Sequence, residues 1–226
     1  MIVPNLSKHL YNNVESTLSM KFTKPVVTVD TALFGYHKNS LNILLVKRRN
    51  DPYKGKWVLP GGFIKVSETL EDSALRELRE ETGVKDVHVE QLHAFGAPSR
   101  DPRGRAVTIA FYGVVNFRDV KAKPGSDAKQ AKWFSVDKLP ELGFDHKSIA
   151  DMATLRLREN VDRLGFRLVS SMFTLTELQQ LHEAVLGKPL DKRNFRKRLF
   201  ALDAIVETSR TKMEGAHRPA RLYKVR

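Results

Sequence analysis

One stretch, Gly62 to Val84, restricts this chain more than any other. It reads GFIKVSETLEDSALRELREETGV. Glu68 follows the glycine after five residues, Arg76-Glu77-Leu78 after seven more, and then come Glu80-Glu81 and Gly83-Val84. Leu70, Ala74, Leu75 and Leu78 fall at helical intervals, so the second half predicts an amphipathic helix. Glu77, Glu80 and Glu81 are then related as i, i+3 and i+4, which puts three carboxylates on one face about one turn apart. Clustered anions repel one another unless a cation sits between them. Oxygen-only ligands suit a hard ion such as Mg²⁺ or Mn²⁺, which keeps some waters and takes substrate phosphates as further ligands. Arg76 can pair with Glu80 four residues on and hold its carboxylate. Gly83 suits the left-handed residue that ends a helix. Gly61-Gly62 permits a tight approach of backbone to a ligand ahead of the helix. A solvated acidic face would explain the glutamates alone, but not the glycine, arginine and apolar positions that fit with them.

The chain has 226 residues, 41% of them hydrophobic, which is enough for a sizeable core. No apolar run approaches the ~18 residues of a membrane span. The first residues lack a basic segment followed by an apolar one, so they do not read as a signal peptide. There is no cysteine, hence no disulfide framework and no thiolate metal site. These features fit a cytoplasmic protein with no membrane association. The net charge of +13 and the pI of about 10.0 are unusual for a protein that handles only a small anion. From Val161 onward there are 14 Lys and Arg against 7 Asp and Glu. A basic C-terminal third suggests a nucleic-acid partner.

Residues 22–143 read as α/β. Lys24 to Leu33 and Leu41 to Lys47 are β-rich runs joined by a polar turn from Gly35 to Ser40. Val87 to Phe95, Ala106 to Phe117 and Lys132 to Val136 are further strands. Residues 144–160 read as a connecting helix with Ile149, Met152, Leu155 and Leu157 as its buried stripe. The absence of a Pro/Gly/Ser-rich linker predicts that the two parts are held rigidly. Residues 1–21 are an N-terminal segment with no assigned role.

Residues 161–226 form a second unit. Thr174-Leu175-Thr176-Glu177 is a capping-box pattern opening a helix that ends at Gly187. Pro189 forces a break. Asp191 then caps a second helix, Lys192 to Asp203, with Phe195, Leu199 and Leu202 facing inward. Ile205 to Thr208 and Arg221 to Val225 pair as a hairpin around the polar loop 209–218. Helix, turn, basic helix and hairpin is a winged helix-turn-helix outline. Its second helix would enter the major groove, with Lys192, Arg193, Asn194, Arg196 and Lys197 meeting bases and phosphates.

The Gly62–Val84 pattern resembles the Nudix box. The resemblance implies a mixed sheet sandwiched by helices, α/β (α+β) in class. It also implies Glu77, Glu80 and Glu81 as ligands of Mg²⁺ or Mn²⁺. Glu80 and Glu81, with Arg76, are then the catalytic candidates, and Glu68 and Arg76 are braces. The words LVKRRNDPYKGKWVLPGGF, SRDPRGRAVTIAFY and FDH are similar to ADP-ribose pyrophosphatases. Arg100, Asp101, Arg103 and Arg105 sit between two strands, in a loop suited to a pyrophosphate, which arginine forks bind bidentately. Together with Arg49, Gly61 and Gly62 they form the expected ligand site. Trp57 and Phe95 line the core or stack on a base. One departure is Gln130, where such enzymes carry Glu: glutamine cannot act as a general base. Hydrolysis is therefore expected to be weak or lost.

The tail words FTLTELQQLHEAVLG, LDKRNFRKRL and RPARLYK extend the likeness. Nudix unit and tail together resemble the Nudix-related transcriptional regulators of NAD metabolism, which fuse a Nudix effector domain to a C-terminal winged helix. The resemblance implies a homodimeric repressor with operator DNA and ADP-ribose as partners. The alternative is a Mg²⁺-dependent Nudix hydrolase with a basic accessory domain.

Overall fold

A computed structural model describes residues 24–117, 128–213 and 219–226. The N-terminal segment 1–21, Asp127 and the tip of the 209–218 loop lie outside the described residues.

Strands β1 (Val26–His37), β2 (Ser40–Arg48), β3 (Trp57–Val58), β4 (Gly61–Phe63), β5 (Val89–Phe95), β6 (Ala106–Val115) and β7 (Ala128–Ser135) build one mixed sheet. Its path runs β3-β2-β1-β6-β5, with β4 beside β1 and β7 beside β2. β1 pairs parallel with β6 and antiparallel with β2 and β4. β1 runs on past the expected turn to His37. The turn shrinks to Lys38 and Asn39, both left-handed at φ 49° and 58°, the geometry that suits a two-residue hairpin loop.

Because strand side chains alternate, each sheet face collects its own core. Val29, Leu33, Leu44, Phe111 and Val115 pack on Ala74 and Leu78 of α1 (Leu70–Thr82). Ala32, Phe34, Ile43, Leu45 and Tyr112 face the other way, against α2 (His146–Glu159). α2 buries Ile149, Ala150, Ala153 and Leu157. Leu155, expected in that stripe, is 56% exposed, because the helix turns its alanines to the sheet instead.

The same core continues through α3 (Val161–Leu164) to Leu181 and Val185 of α4 (Leu175–Leu186). α4 has the predicted capping box between Thr174 and Glu177 and a left-handed Gly187 at its end. α5 (Lys192–Ala201) is capped by Asp191 and stops two residues earlier than expected. β8 (Ile205–Lys212) and β9 (Ala220–Val225) form the hairpin. Phe173, Leu175, Leu178, Phe195, Leu199, Ile205 and Tyr223 make a separate small core under α4 and α5. Leu202, expected inward, is 48% exposed because it lies past the last turn of α5.

Candidate functional site

The Gly62–Val84 pattern folds as its spacing demands. Thr69 caps α1 and Gly83 ends it at φ 73°. Arg76 is buried on α1. Its Nε donates to both Glu68 oxygens at 2.8 and 2.9 Å, its Nη1 to Glu77 at 2.7 Å and to Glu80 at 3.3 Å, and its Nη2 to the Phe63 carbonyl at 3.0 Å. Every nitrogen of this guanidinium is engaged by protein, so Arg76 sits as a brace between β4 and α1.

Glu80 is exposed, while Glu77 and Glu81 are half-buried on the sheet side of α1. Glu81 accepts from the Gly61 amide at 3.0 Å. Burial, with the charges of Glu77 and Asp30 behind it, pushes the Glu81 carboxyl up to about 8. Burial also raises Glu77, against the pull of Arg76. A donor set of crowded oxygens that resist ionising together fits a hard divalent cation in kind. The three carboxylates are nevertheless not gathered around one point as they stand. Among the described residues no group of three or more His, Asp or Glu side chains converges as a metal site, because Arg76 holds Glu77 and Gly61 holds Glu81.

Gly61 and Gly62 are needed for the protein's own packing. A Cβ on Gly61 would meet the Val29 carbonyl at 2.2 Å, and one on Gly62 would meet the Glu77 carboxylate at 2.5 Å. The close approach expected for a ligand is thus made by β1 and α1.

The arginine loop after β5 divides in two. Arg100 and Asp101 are buried. Arg100 forks onto Asp145 at 2.9 and 2.8 Å and lies 3.6 Å from Asp30. Asp101 accepts from the Arg103 amide at 2.9 Å and from its side chain at 3.0 and 2.7 Å. Arg100 and Asp101, both expected on a pyrophosphate, instead anchor the loop, since a buried charge must be paired. Arg103 is half-buried against the rings of Phe63 and Phe144, and exposed Arg105 donates to the Gly96 carbonyl.

The FDH word completes this layer. Asp145 holds Arg100, and His146 is buried. The His146 Nδ1 accepts from the Leu59 amide at 2.9 Å, and its Nε2 lies 3.5 Å from Asp30. The word thereby ties the start of α2 to the segment between β3 and β4. Trp57 and Phe95 are half-buried and pack against the core.

Arg49 is exposed beyond the end of β2. Its neighbour Arg48 is half-buried at the end of β2, where its Nε donates to the Pro52 carbonyl at 2.8 Å. Asp30, buried on β1, gave no sequence signal because it sits inside an otherwise apolar strand. Gln130 is exposed on β7.

At the other end of the chain, Lys192, Arg193, Asn194 and Lys197 are exposed on α5, and Arg196 is half-buried. Arg198 turns back to Asp162 at 3.2 Å. No helix of the described residues is long and apolar enough to cross a membrane.

Residues 24–153 match the NUDIX domain family, and residues 165–225 match the NrtR DNA-binding winged helix domain. The chain is 35% identical over 209 residues to the ADPR responsive transcriptional repressor NtrR of Acinetobacter baylyi, covering 90% of this chain and 83% of that protein. The crystal structure of Shewanella oneidensis NrtR complexed with a 27mer DNA superposes with a TM-score of 0.76 at 37% identity, covering 88% of this chain and 93% of that one. The NUDIX domain of the same Shewanella oneidensis protein, complexed with ADP ribose, gives a TM-score of 0.56 at 38% identity over 60% of this chain and 90% of that one. With a Nudix domain and an NrtR winged helix on one chain, and with likeness of sequence and fold across both, this protein belongs to the NrtR branch of the Nudix family.

Proposed function

We propose that this chain is a transcriptional repressor of NAD metabolism genes whose Nudix unit takes ADP-ribose as effector. The observation that carries the reading is the pairing of a Nudix site with a basic helix, joined through α4, which packs into the core of each unit. α5 presents Lys192, Arg193, Asn194 and Lys197 to solvent, which suits phosphates and base edges of a major groove. One such helix reads too few base pairs alone, so the active species is a homodimer on a near-palindromic operator. The cytoplasm is where operator and effector meet.

An effector acts only by favouring one arrangement of the molecule over another. α2 offers a route for that coupling. Its first turn is tied to the effector side through Asp145 and Arg100, and near its end the Arg158 Nε donates to the Val185 carbonyl of α4 at 2.9 Å. Movement of the Arg100 loop would be felt at the packing of α4, and through it at α5.

A divalent ion held by Glu77, Glu80 and Glu81 would neutralise a bound pyrophosphate and polarise it. The protein's own contribution is Arg76, which keeps two of those carboxylates in place, and the Gly61 amide, which orients the third. Gln130 replaces an acid in the related enzymes, and losing one proton-transfer group typically costs about 10²–10⁴-fold in rate. Slow hydrolysis suits a sensor that must not destroy its signal.

Gel shifts with genomic fragments, with and without ADP-ribose, test the regulatory reading. ADP-ribose should change operator affinity while ADP and NAD leave it unaltered; an identical response to all three would remove the effector assignment. AMP release with Mg²⁺ and with Mn²⁺ tests the enzymatic one. Turnover near an ordinary enzyme rate of about 10 s⁻¹ would promote the hydrolase, whereas a gain in Gln130→Glu would support the lost acid.

A further inference from the structure

α3 is four residues long, yet two adjacent side chains on it reach into different units. Arg163 forks onto Glu90 of β5 at 2.6 and 2.8 Å, on the Nudix side. Asp162 reaches the other way. Its Oδ1 lies 3.2 Å from Nη2 of Arg198 on α5 and 3.2 Å from Nε2 of His182 on α4. One carboxylate oxygen thus gathers a guanidinium and an imidazole from the two helices of the helix-turn-helix.

His182 is the buried member, at 1% exposure. Its Nδ1 lies 2.9 Å from the Leu178 carbonyl of its own helix, so both ring nitrogens face oxygen. A neutral imidazole carries one N–H and can donate to only one of them; the protonated ring donates to both. Burial pulls the ring below the usual histidine range, against the pull of the Leu178 carbonyl and Asp162. Asp162 on α3 and Arg198 on α5 are the charged groups that face it. The ring also meets Phe195 of α5 edge-on, with centroids 5.0 Å apart, and the Arg198 Cζ lies 6.0 Å from the centre of the Phe195 ring.

Position on α5 separates Arg198 from the residues expected on DNA. Phe195 and Leu199 face inward. With 3.6 residues per turn, Arg193 and Lys197 fall on the opposite face. Arg198 falls between the two faces, on the flank that meets α3. The Asp162–Arg198 pair is about half-exposed, and such a pair contributes little to stability. What it fixes is the direction of the helix.

We propose that Asp162 is the hub of a clasp, with His182 and Arg198, that sets the position of α5 against the Nudix sheet for operator binding without itself touching DNA. The proposal rests on the repressor reading above for what α5 binds. It deepens that reading by naming residues that position the helix. Arg163 and Glu90 reference the clasp to β5, and Asp162 passes that reference to α4 and α5.

The test uses the full chain, the operator fragment and an unrelated duplex. Asp162→Ala and Arg198→Gln should each weaken operator binding roughly three- to thirtyfold, the range for residues that act on a site without touching its ligand. The double variant should lose no more than either alone, because both changes open the same clasp. The slope of log K against log salt should stay unchanged in Arg198→Gln, whereas a phosphate contact would lower it by about 1. Proton NMR gives a readout that needs no DNA. The His182 ring, assigned with His182→Gln, should titrate at lower pH in Asp162→Ala, since the anion that favours its charged form is gone. A lowered salt slope in Arg198→Gln, with Asp162→Ala binding the operator as well as or better than the natural chain, makes Arg198 a DNA contact and overturns the clasp. Unchanged operator affinity in both variants also overturns it. A natural chain that binds every duplex equally removes the repressor reading; the clasp then stands if the His182 titration shifts in Asp162→Ala and falls if it does not.

Discussion

Arg76 on the Nudix helix and Arg100 in the loop after β5 lie buried and paired to carboxylates, whereas Arg193 and Lys197 stand exposed on α5 with no carboxylate partner among the described residues. The first pair cannot reach a ligand without breaking the protein's own bonds. The second pair has no bonding partner among the described residues and is open to an external anion. Arg48 falls between the two classes, half-buried yet without a salt bridge. Charge alone does not separate a brace from a binding group; the presence of an internal counter-ion does. A buried ion pair is costly to break because one charge remains behind, while an exposed cation contributes little to stability and can be removed at little cost.

The largest effect should therefore come from Arg100. Its side chain is 3% exposed, and Arg100→Gln would leave Asp145 and buried Asp30 uncompensated. Urea unfolding should show a loss of about 3–5 kcal/mol, and a loss below ~1 kcal/mol would mean that the pair is not the brace described. On the other side of the comparison, Arg193→Ala and Lys197→Ala should leave unfolding within about 0.5 kcal/mol of the natural chain. Operator affinity should drop by about 1–3 kcal/mol for a change that removes a base contact. If both variants bind the operator normally, α5 is not the reading element.

A finer distinction separates phosphate from base contacts on the same helix. Lys192→Ala should weaken specific and non-specific DNA alike, and should lower the slope of log K against log salt by about 1. An unchanged slope would take Lys192 off the phosphate backbone.

The smallest effect should be at the contact between the two units. Glu90 accepts two bonds from Arg163, at 2.6 and 2.8 Å, and one from the Tyr112 hydroxyl at 2.9 Å. Arg163 holds the Glu90 carboxyl down at about 2. A depressed carboxyl contributes stability above its unfolded value of about 4.3, and that contribution fades as pH falls toward 2. The pair is partly exposed, so its worth is at most about 1 kcal/mol. The stability difference between the natural chain and Glu90→Gln should be present at pH 7 and shrink between pH 4 and pH 2. A difference that stays constant over that range would assign the loss to packing.

Much of this was legible from residue order alone. The helix α1, its glutamates, its left-handed end, the capping box at Thr174 and the basic α5 all rest on local spacing, and local spacing is what a sequence states directly. Register within an element was less legible. Leu155 and Leu202 were expected inward because they are apolar, yet α2 meets the sheet through Ala150 and Ala153, and α5 ends before Leu202.

The sequence by itself determined the two units, the metal-type acidic face and the basic helix, because helical periodicity, caps and net charge act over a few residues. Only the tertiary structure decided which charges are braces. Asp30, Arg100, Asp145 and His146 are separated by up to 116 positions in the chain and meet in one buried layer. Whether an arginine is free for a ligand depends on whether a distant carboxylate has already taken it. That is settled by the fold of β1, α2 and the loop between β5 and β6, where pairing of buried charge outweighs any preference stated by neighbouring residues.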